Sequence, residues 1–122
     1  MKDELKIPPL FEVIRVEPGR PAETLGLCTN DRWKTLKTLV GGDLLIRPLD
    51  NGITAVLNMN KVFDQEEYSF TSGGLDYYGT VIFCKLTQSL SSLNGAERLE
   101  IKLRVRDAYI ARWDKEMEAG LK

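Results

Sequence analysis

After a polar start the chain runs Leu10-Phe11-Glu12-Val13-Ile14-Arg15-Val16, an apolar and β-branched stretch closed by Glu17-Pro18-Gly19. Proline presets φ for a turn and glycine accepts positive φ, so the pattern predicts a strand followed by a turn. Ala22 to Leu27 reads as a short returning strand, weakened at Gly26. The period then lengthens. Trp33, Leu36, Leu39 and Val40 recur at threes and fours, which predicts a helix with its apolar stripe on a sheet and Arg32, Lys34 and Lys37 facing water. Thr29 or Asn30 is the expected cap, Asp31 suits the positive first turn, and Gly41-Gly42 ends the helix.

Leu44-Leu45-Ile46 predicts a buried strand, and Pro48, which offers no N–H to a ladder, places its end at an edge or a bulge. Asp50-Asn51-Gly52 supplies a tight hairpin turn, and Ile53 to Leu57 is the returning strand. Asn58-Met59-Asn60-Lys61 reads as another turn, and residues 62–71 mix acidic and aromatic side chains without one period, as in a loop or short strand. Beyond the break at Ser72-Gly73-Gly74, Thr80 to Leu86 carries the strongest strand signal and is expected at the centre of the sheet. Gln88 to Ser92 is a serine-rich loop leading to Asn94, a helix cap toward which Glu97 can reach back.

From Glu97 to Ala119 there is neither proline nor glycine. Ile101, Val105, Ala108, Tyr109, Trp113 and Met117 form a helical stripe, supported by Glu100 and Arg104 four residues apart. Leu99, Ile101, Leu103 and Val105 also alternate, so a strand over 98–106 followed by a shorter helix is the competing reading. The fold class expected is α+β: a mostly antiparallel sheet of about five strands, one helix packed on it, and a long C-terminal helix. At 122 residues this makes a single domain, 1–122, with a core over 10–86 and a helical extension over 94–119.

Composition narrows the chemistry more than it suggests any. Apolar residues at 43% and charged ones at 29% are ordinary for a globular chain, and 17 basic against 18 acidic side chains leave a net charge of −1. No broad phosphate-binding field follows from that balance, and direct nucleic-acid binding is not expected. Along the last helix Arg98, Lys102, Arg104, Arg106 and Arg112 are interleaved with Glu97, Glu100, Asp107, Asp114, Glu116 and Glu118, the pattern of a solvated, ion-paired face. Tyr68, Phe70, Tyr77 and Tyr78 are the alternative stacking platform, although adjacent strand residues such as Tyr77 and Tyr78 point to opposite sides.

There is no histidine, which removes the usual general base and the commonest transition-metal ligand. Cys28 and Cys84 lack C-x-x-C spacing and read as two half-buried thiols, and Gly41-Gly42 and Gly73-Gly74 lack phosphate-loop spacing. Glu66, Glu67 and Asp76 are the carboxylates that acid and base work would have to use. No cofactor or metal is expected. No apolar run approaches the length of a bilayer span, and MKDELKIPPL lacks the apolar centre of a signal peptide, so the expected location is cytoplasmic, with no membrane partner.

One order of turns is distinctive. Val16-Glu17-Pro18-Gly19, a helix ending in Leu39-Val40-Gly41-Gly42, Leu49-Asp50-Asn51-Gly52 leading to Asn58, and Asp76 with Gly79-Thr80 together resemble a small domain family of unknown function found in phages, plasmids and other mobile elements of Firmicutes. The resemblance covers residues 10–86. It implies a compact α+β domain in a mobile-element setting, with no catalytic residues to carry over, and the segment from Asn94 departs from the short ending of that family.

The functional expectation is therefore a non-enzymatic binding protein of a phage or mobile element, an inhibitor of host defence of the anti-CRISPR or anti-restriction kind that acts by protein–protein contact with a host protein. A protein that sequesters a small anionic ligand or nucleotide is the alternative, and a carboxylate-dependent enzyme is the second; a homodimer is left open. Arg104, Arg106, Arg112 and Trp113 on the last helix are the expected partner-binding residues, because arginine and tryptophan dominate interface energies. Trp113 reads equally well as core.

Overall fold

The computed structural model describes residues 10–120, so most of the MKDELKIPPL stretch lies outside the described residues. Eight strands and three α-helices follow in the order β1 (Leu10–Val16), β2 (Glu23–Cys28), α1 (Arg32–Val40), β3 (Leu44–Pro48), β4 (Ile53–Asn58), α2 (Met59–Asp64), β5 (Tyr68–Ser72), β6 (Leu75–Tyr78), β7 (Val81–Leu86), β8 (Leu90–Ser91) and α3 (Gly95–Gly120). The main sheet runs β2-β1-β7-β4-β3, every pairing antiparallel, with the two-residue β8 on β7 as its sixth strand. β5 and β6 form a separate hairpin. The class is α+β, and β7 lies at the centre of the sheet as its unbroken apolar run predicts.

Alternation divides the sheet into two buried faces. Phe11, Val13, Val56, Ile82 and Cys84 point to one side, where Leu36 and Val40 of α1 cover them. Ile14, Val16, Ala55, Leu57, Val81 and Phe83 point to the other, where Phe70 and Tyr77 of the hairpin and Ile101 and Val105 of α3 close the larger cluster. α1 and α3 therefore lie on opposite faces of one sheet. The first half of α3 belongs to the core of the domain.

Capping follows side-chain chemistry, with some shifts from the expected residues. The cap of α1 is Asp31, one residue later than expected, whose carboxylate accepts from the Lys34 N–H at 3.0 Å. Thr29 supports it by taking the Asp31 N–H on its hydroxyl. Trp33 was expected on the buried stripe but is 44% exposed: it lies on the first turn of α1, ahead of Leu36 and Val40, which are buried, and Leu39, which packs against their cluster. Gly41 ends the helix at φ 80°. Gly42 has a different reason: a Cβ there would sit 2.9 Å from the Asn58 side-chain nitrogen.

Asn58 also corrects the turn expected over 58–61. Its side-chain oxygen accepts from the Asn60 and Lys61 N–H groups and starts α2, while its amide donates to the Val40 carbonyl at 3.2 Å. One buried asparagine thus caps α2 and fixes the end of α1. α2 stops at Gln65, held at φ 53°, and the ambiguous 62–71 region resolves into that helix end, a turn and β5. The expected returning strand from Ala22 begins at Glu23, and the Gln88–Ser92 loop contains β8.

The strand alternative for 98–106 is excluded, since α3 is continuous from Gly95 to Gly120. Its start is a reciprocal capping box. Asn94 accepts from the Glu97 N–H at 2.8 Å and Glu97 accepts from the Asn94 N–H at 2.9 Å. Lys85 on β7 donates to the same Glu97 carboxylate at 2.9 Å, tying the cap to the central strand.

Candidate functional site: the outward face of α3

A helix turns about 100° per residue, so sequence neighbours on α3 face different surroundings. Ile101, Val105, Ala108 and Tyr109 face the body, and the Tyr109 hydroxyl donates to the Arg20 carbonyl at 2.7 Å. On the opposite side Leu99, Leu103, Ile110, Trp113 and Met117 are left 39 to 61% exposed. Trp113 and Met117 therefore do not continue the buried stripe, as the sequence reading had them. With Arg106 these five residues recur at intervals of four, three, four, three and four, a heptad seam along one side of the helix.

The four expected contact residues do not form one patch. Arg106 and Trp113 share the outward face, with Arg106 ion-paired to Asp107 at 3.2 Å. Arg104 lies about 200° around the helix from Arg106, pairs with Glu100 at 3.1 Å and lines a cleft above the hairpin. Arg112 sits 4.4 Å over the Tyr68 ring while bonding Glu116 at 3.0 Å, and this shared hold raises its pKa further. Trp113 is exposed. The core alternative for it fails on that placement.

The cleft beside Arg104, of about 320 Å³, is rimmed by Asp50, Ser72 and Leu75 and floored by aromatic rings. Phe70 and Tyr77 stack at 4.5 Å with 15° between planes, and Phe83 packs against both. The floor rings are only 2 to 4% exposed, so a ligand meets the rim and not the ring faces. Arg47 lies 4.8 Å over Tyr77 and donates to the Asp76 carbonyl, locking β6 to the edge strand β3. Burial raises the Tyr77 hydroxyl pKa, opposed by the nearby Arg47 and Arg104 charges. The expected platform of Tyr68, Phe70, Tyr77 and Tyr78 is thus split, with Phe70 and Tyr77 serving as core.

Set beside known protein families, curated proteins and solved structures, the chain matches none. What the site can do must therefore come from its own groups. Glu66, Glu67 and Asp76 are all exposed; Glu67 pairs with Lys61, and Asp76 accepts from the Thr71 hydroxyl at 2.6 Å. Among the described residues no three Cys, Asp or Glu side chains gather as a metal site. Of the two thiols described as half-buried, Cys28 is exposed and Cys84 is buried, and desolvation pushes Cys84 up to about 12, so it stays protonated at neutral pH. Among the described residues no helix is long and apolar enough to cross a membrane.

The seam is present in the sequence as spacing but masked there: Leu99 and Leu103 also alternate with Ile101 and Val105 as strand residues do, and Trp113 and Met117 also fit the 3.6-residue core stripe. The two patterns share one helix at different periods, and only the seam continues past residue 109.

Proposed function

We propose that this chain is a non-enzymatic protein-binding domain whose contact surface is the outward face of α3. The observation that carries this reading is the line of Leu99, Leu103, Ile110, Trp113 and Met117, large apolar side chains left in water at coiled-coil spacing and interrupted by the single charge of Arg106. Scattered exposed apolar residues are ordinary, whereas a contiguous apolar stripe marks a surface that another chain covers. Trp113 is its natural anchor, since tryptophan concentrates binding energy where it can be fully desolvated. The closed floor of the Arg104 cleft favours this reading over the ligand-sequestering one.

The narrower form of the proposal is a host protein as partner, in the setting of a phage or mobile element, and it rests on the turn order alone. The chain, immobilised and exposed to bacterial lysate, is expected to retain a stoichiometric protein partner. A Trp113→Ala variant with wild-type circular dichroism is expected to lose it. Equal retention by the variant removes the outward face from the account. Turnover of a substrate by the purified chain, abolished in folded Glu66→Gln, Glu67→Gln or Asp76→Asn variants, overturns the non-enzymatic reading.

A further inference from the structure

We infer that the free edge of β2, Glu23–Cys28, takes up an extended apolar segment of another protein as one further strand of the main sheet, a contact surface apart from the outward face of α3. The sheet ends at β2 on one side and at β3 on the other, and the two ends differ in how they are closed. β3 stops at Pro48, which has no N–H to offer, and Arg47 ties it to the hairpin through the Asp76 carbonyl. β2 has neither device. Its residues Glu23-Thr24-Leu25-Gly26-Leu27-Cys28 include no proline and no basic side chain, and they pair with β1 over six consecutive positions without a bulge.

Glu12 fixes the side to which each backbone group points. Its N–H donates to the Ser92 hydroxyl at 2.8 Å and its carbonyl accepts from the Leu93 N–H at 3.0 Å, so both are turned away from β2. Glu12 and Gly26 are therefore a non-hydrogen-bonded pair of the antiparallel ladder. Such pairs alternate, so Leu10 with Cys28 and Ile14 with Thr24 are of the same kind. The N–H and C=O groups of Thr24, Gly26 and Cys28 consequently face outward, and among the described residues none of them meets a backbone partner. Donors and acceptors repeating every about 7 Å along a line match another strand and no other regular element.

Side chains set the chemistry of that strand. Leu25 and Leu27 lie half-buried at the margin of the cluster under α1, so the added strand meets them with apolar residues on that face. On the other face Gly26 puts no side chain at the edge, and the half-exposed Leu10 leans over it, 3.2 Å from where a Cβ would stand. An aromatic side chain across from Gly26 packs over the bare backbone against Leu10. Glu23, the one charged residue of β2, is held by Arg15, so the edge attracts no particular sign of charge. A second copy fits poorly: pairing all the outward groups of two β2 strands sets Gly26 against Gly26 and leaves that place unfilled.

The test uses the full chain and a displayed library of short linear peptides. Selected peptides are expected to alternate apolar residues and to carry an aromatic one. Bound, they should slow amide exchange at Thr24, Gly26 and Cys28 by at least about tenfold and leave Leu25 and Leu27, already bonded to β1, unchanged. Thr24→Pro removes one outward N–H, spares the β1 ladder, and is expected to abolish binding with an unchanged circular dichroism spectrum. Should that variant fail to fold, the peptide decides: N-methylation at alternate residues should abolish binding in one register and spare it in the other. A library without a binder, peptides that protect α3 instead, or equal binding of the two N-methylated forms overturns the inference. Protection of Thr24, Gly26 and Cys28 that rises with concentration in the absence of peptide makes a second copy the occupant and overturns it too. None of these outcomes bears on the α3 face, which the Trp113→Ala comparison tests separately.

Discussion

The two halves of α3 are one uninterrupted helix with similar composition, yet one is core and the other is surface. From Gly95 to Tyr109 the helix is capped by Asn94 and Glu97, buries Ile101 and Val105 against the sheet and is pinned by Tyr109. From Ile110 to Gly120 every residue is exposed, and the hold on the body is Arg112 over Tyr68. Helices in water are marginal without a packed face, so the second half needs tertiary or quaternary contact that the monomer's sheet does not supply. Continuity of backbone hydrogen bonding is therefore a poor guide to what stabilises each turn.

Substitutions can break or sharpen that contrast. Ile101→Ala removes a buried side chain from the larger cluster and is expected to cost about 2 to 5 kcal/mol by chemical denaturation. Next in size is Glu97→Ala, which removes half of the capping box and the Lys85 pair and is expected to cost about 0.5 to 2 kcal/mol. The backbone bond to Asn94 and then the Lys85 contact hold the Glu97 carboxyl below its ordinary 4.5. Its contribution is thus complete above that value and is lost as pH falls through the lower folded value. The stability gap between Glu97→Ala and wild type should accordingly be open at neutral pH and close in acid.

Tyr109→Phe keeps the ring against Phe70 and deletes the bond to Arg20, with an expected cost of about 0.5 to 1.5 kcal/mol and faster amide exchange beginning one turn earlier. Trp113→Ala, for all its lost volume, should change the stability of the isolated monomer by no more than about 0.5 kcal/mol, measured under dilute conditions. A large loss there would return Trp113 to the core and erase the contrast. Thiol labelling gives the smallest perturbation of all: one cysteine, Cys28, should react in the native chain, and Cys84 only on unfolding.

Much of the fold was legible because short-range chemistry specified it. Val81 to Cys84 is a buried strand by composition alone, Gly41 is the only kind of residue that closes α1 at φ 80° without strain, and Asn94 with Glu97 spells a capping box. What failed was decided at long range. Asn58 looks like a turn residue until its reach to the Val40 carbonyl, 18 positions away, is seen, and Trp33 shares the apolar spacing of Leu36 and Val40 yet lies on the first turn of α1, where it is left 44% exposed. Of the expected contact residues, Arg106 and Trp113 fall on the outward face and Arg104 and Arg112 do not, because a list chosen by residue type ignores the angle each occupies around the helix. The seam itself is legible as spacing, but in the sequence its period is superposed on that of the core stripe, and only the packing of α3 separates the two.

The central claim, that another chain covers the outward face of α3, is tested most directly by residue-resolved amide hydrogen exchange along α3 in the free chain and in the chain loaded with the partner it retains from lysate. Protection over 95–109 should be the same in both. Protection over 110–120 should rise in the loaded chain and stay at the free value in Trp113→Ala. A second half that exchanges at one rate in both states, or that is equally protected in Trp113→Ala, contradicts the claim.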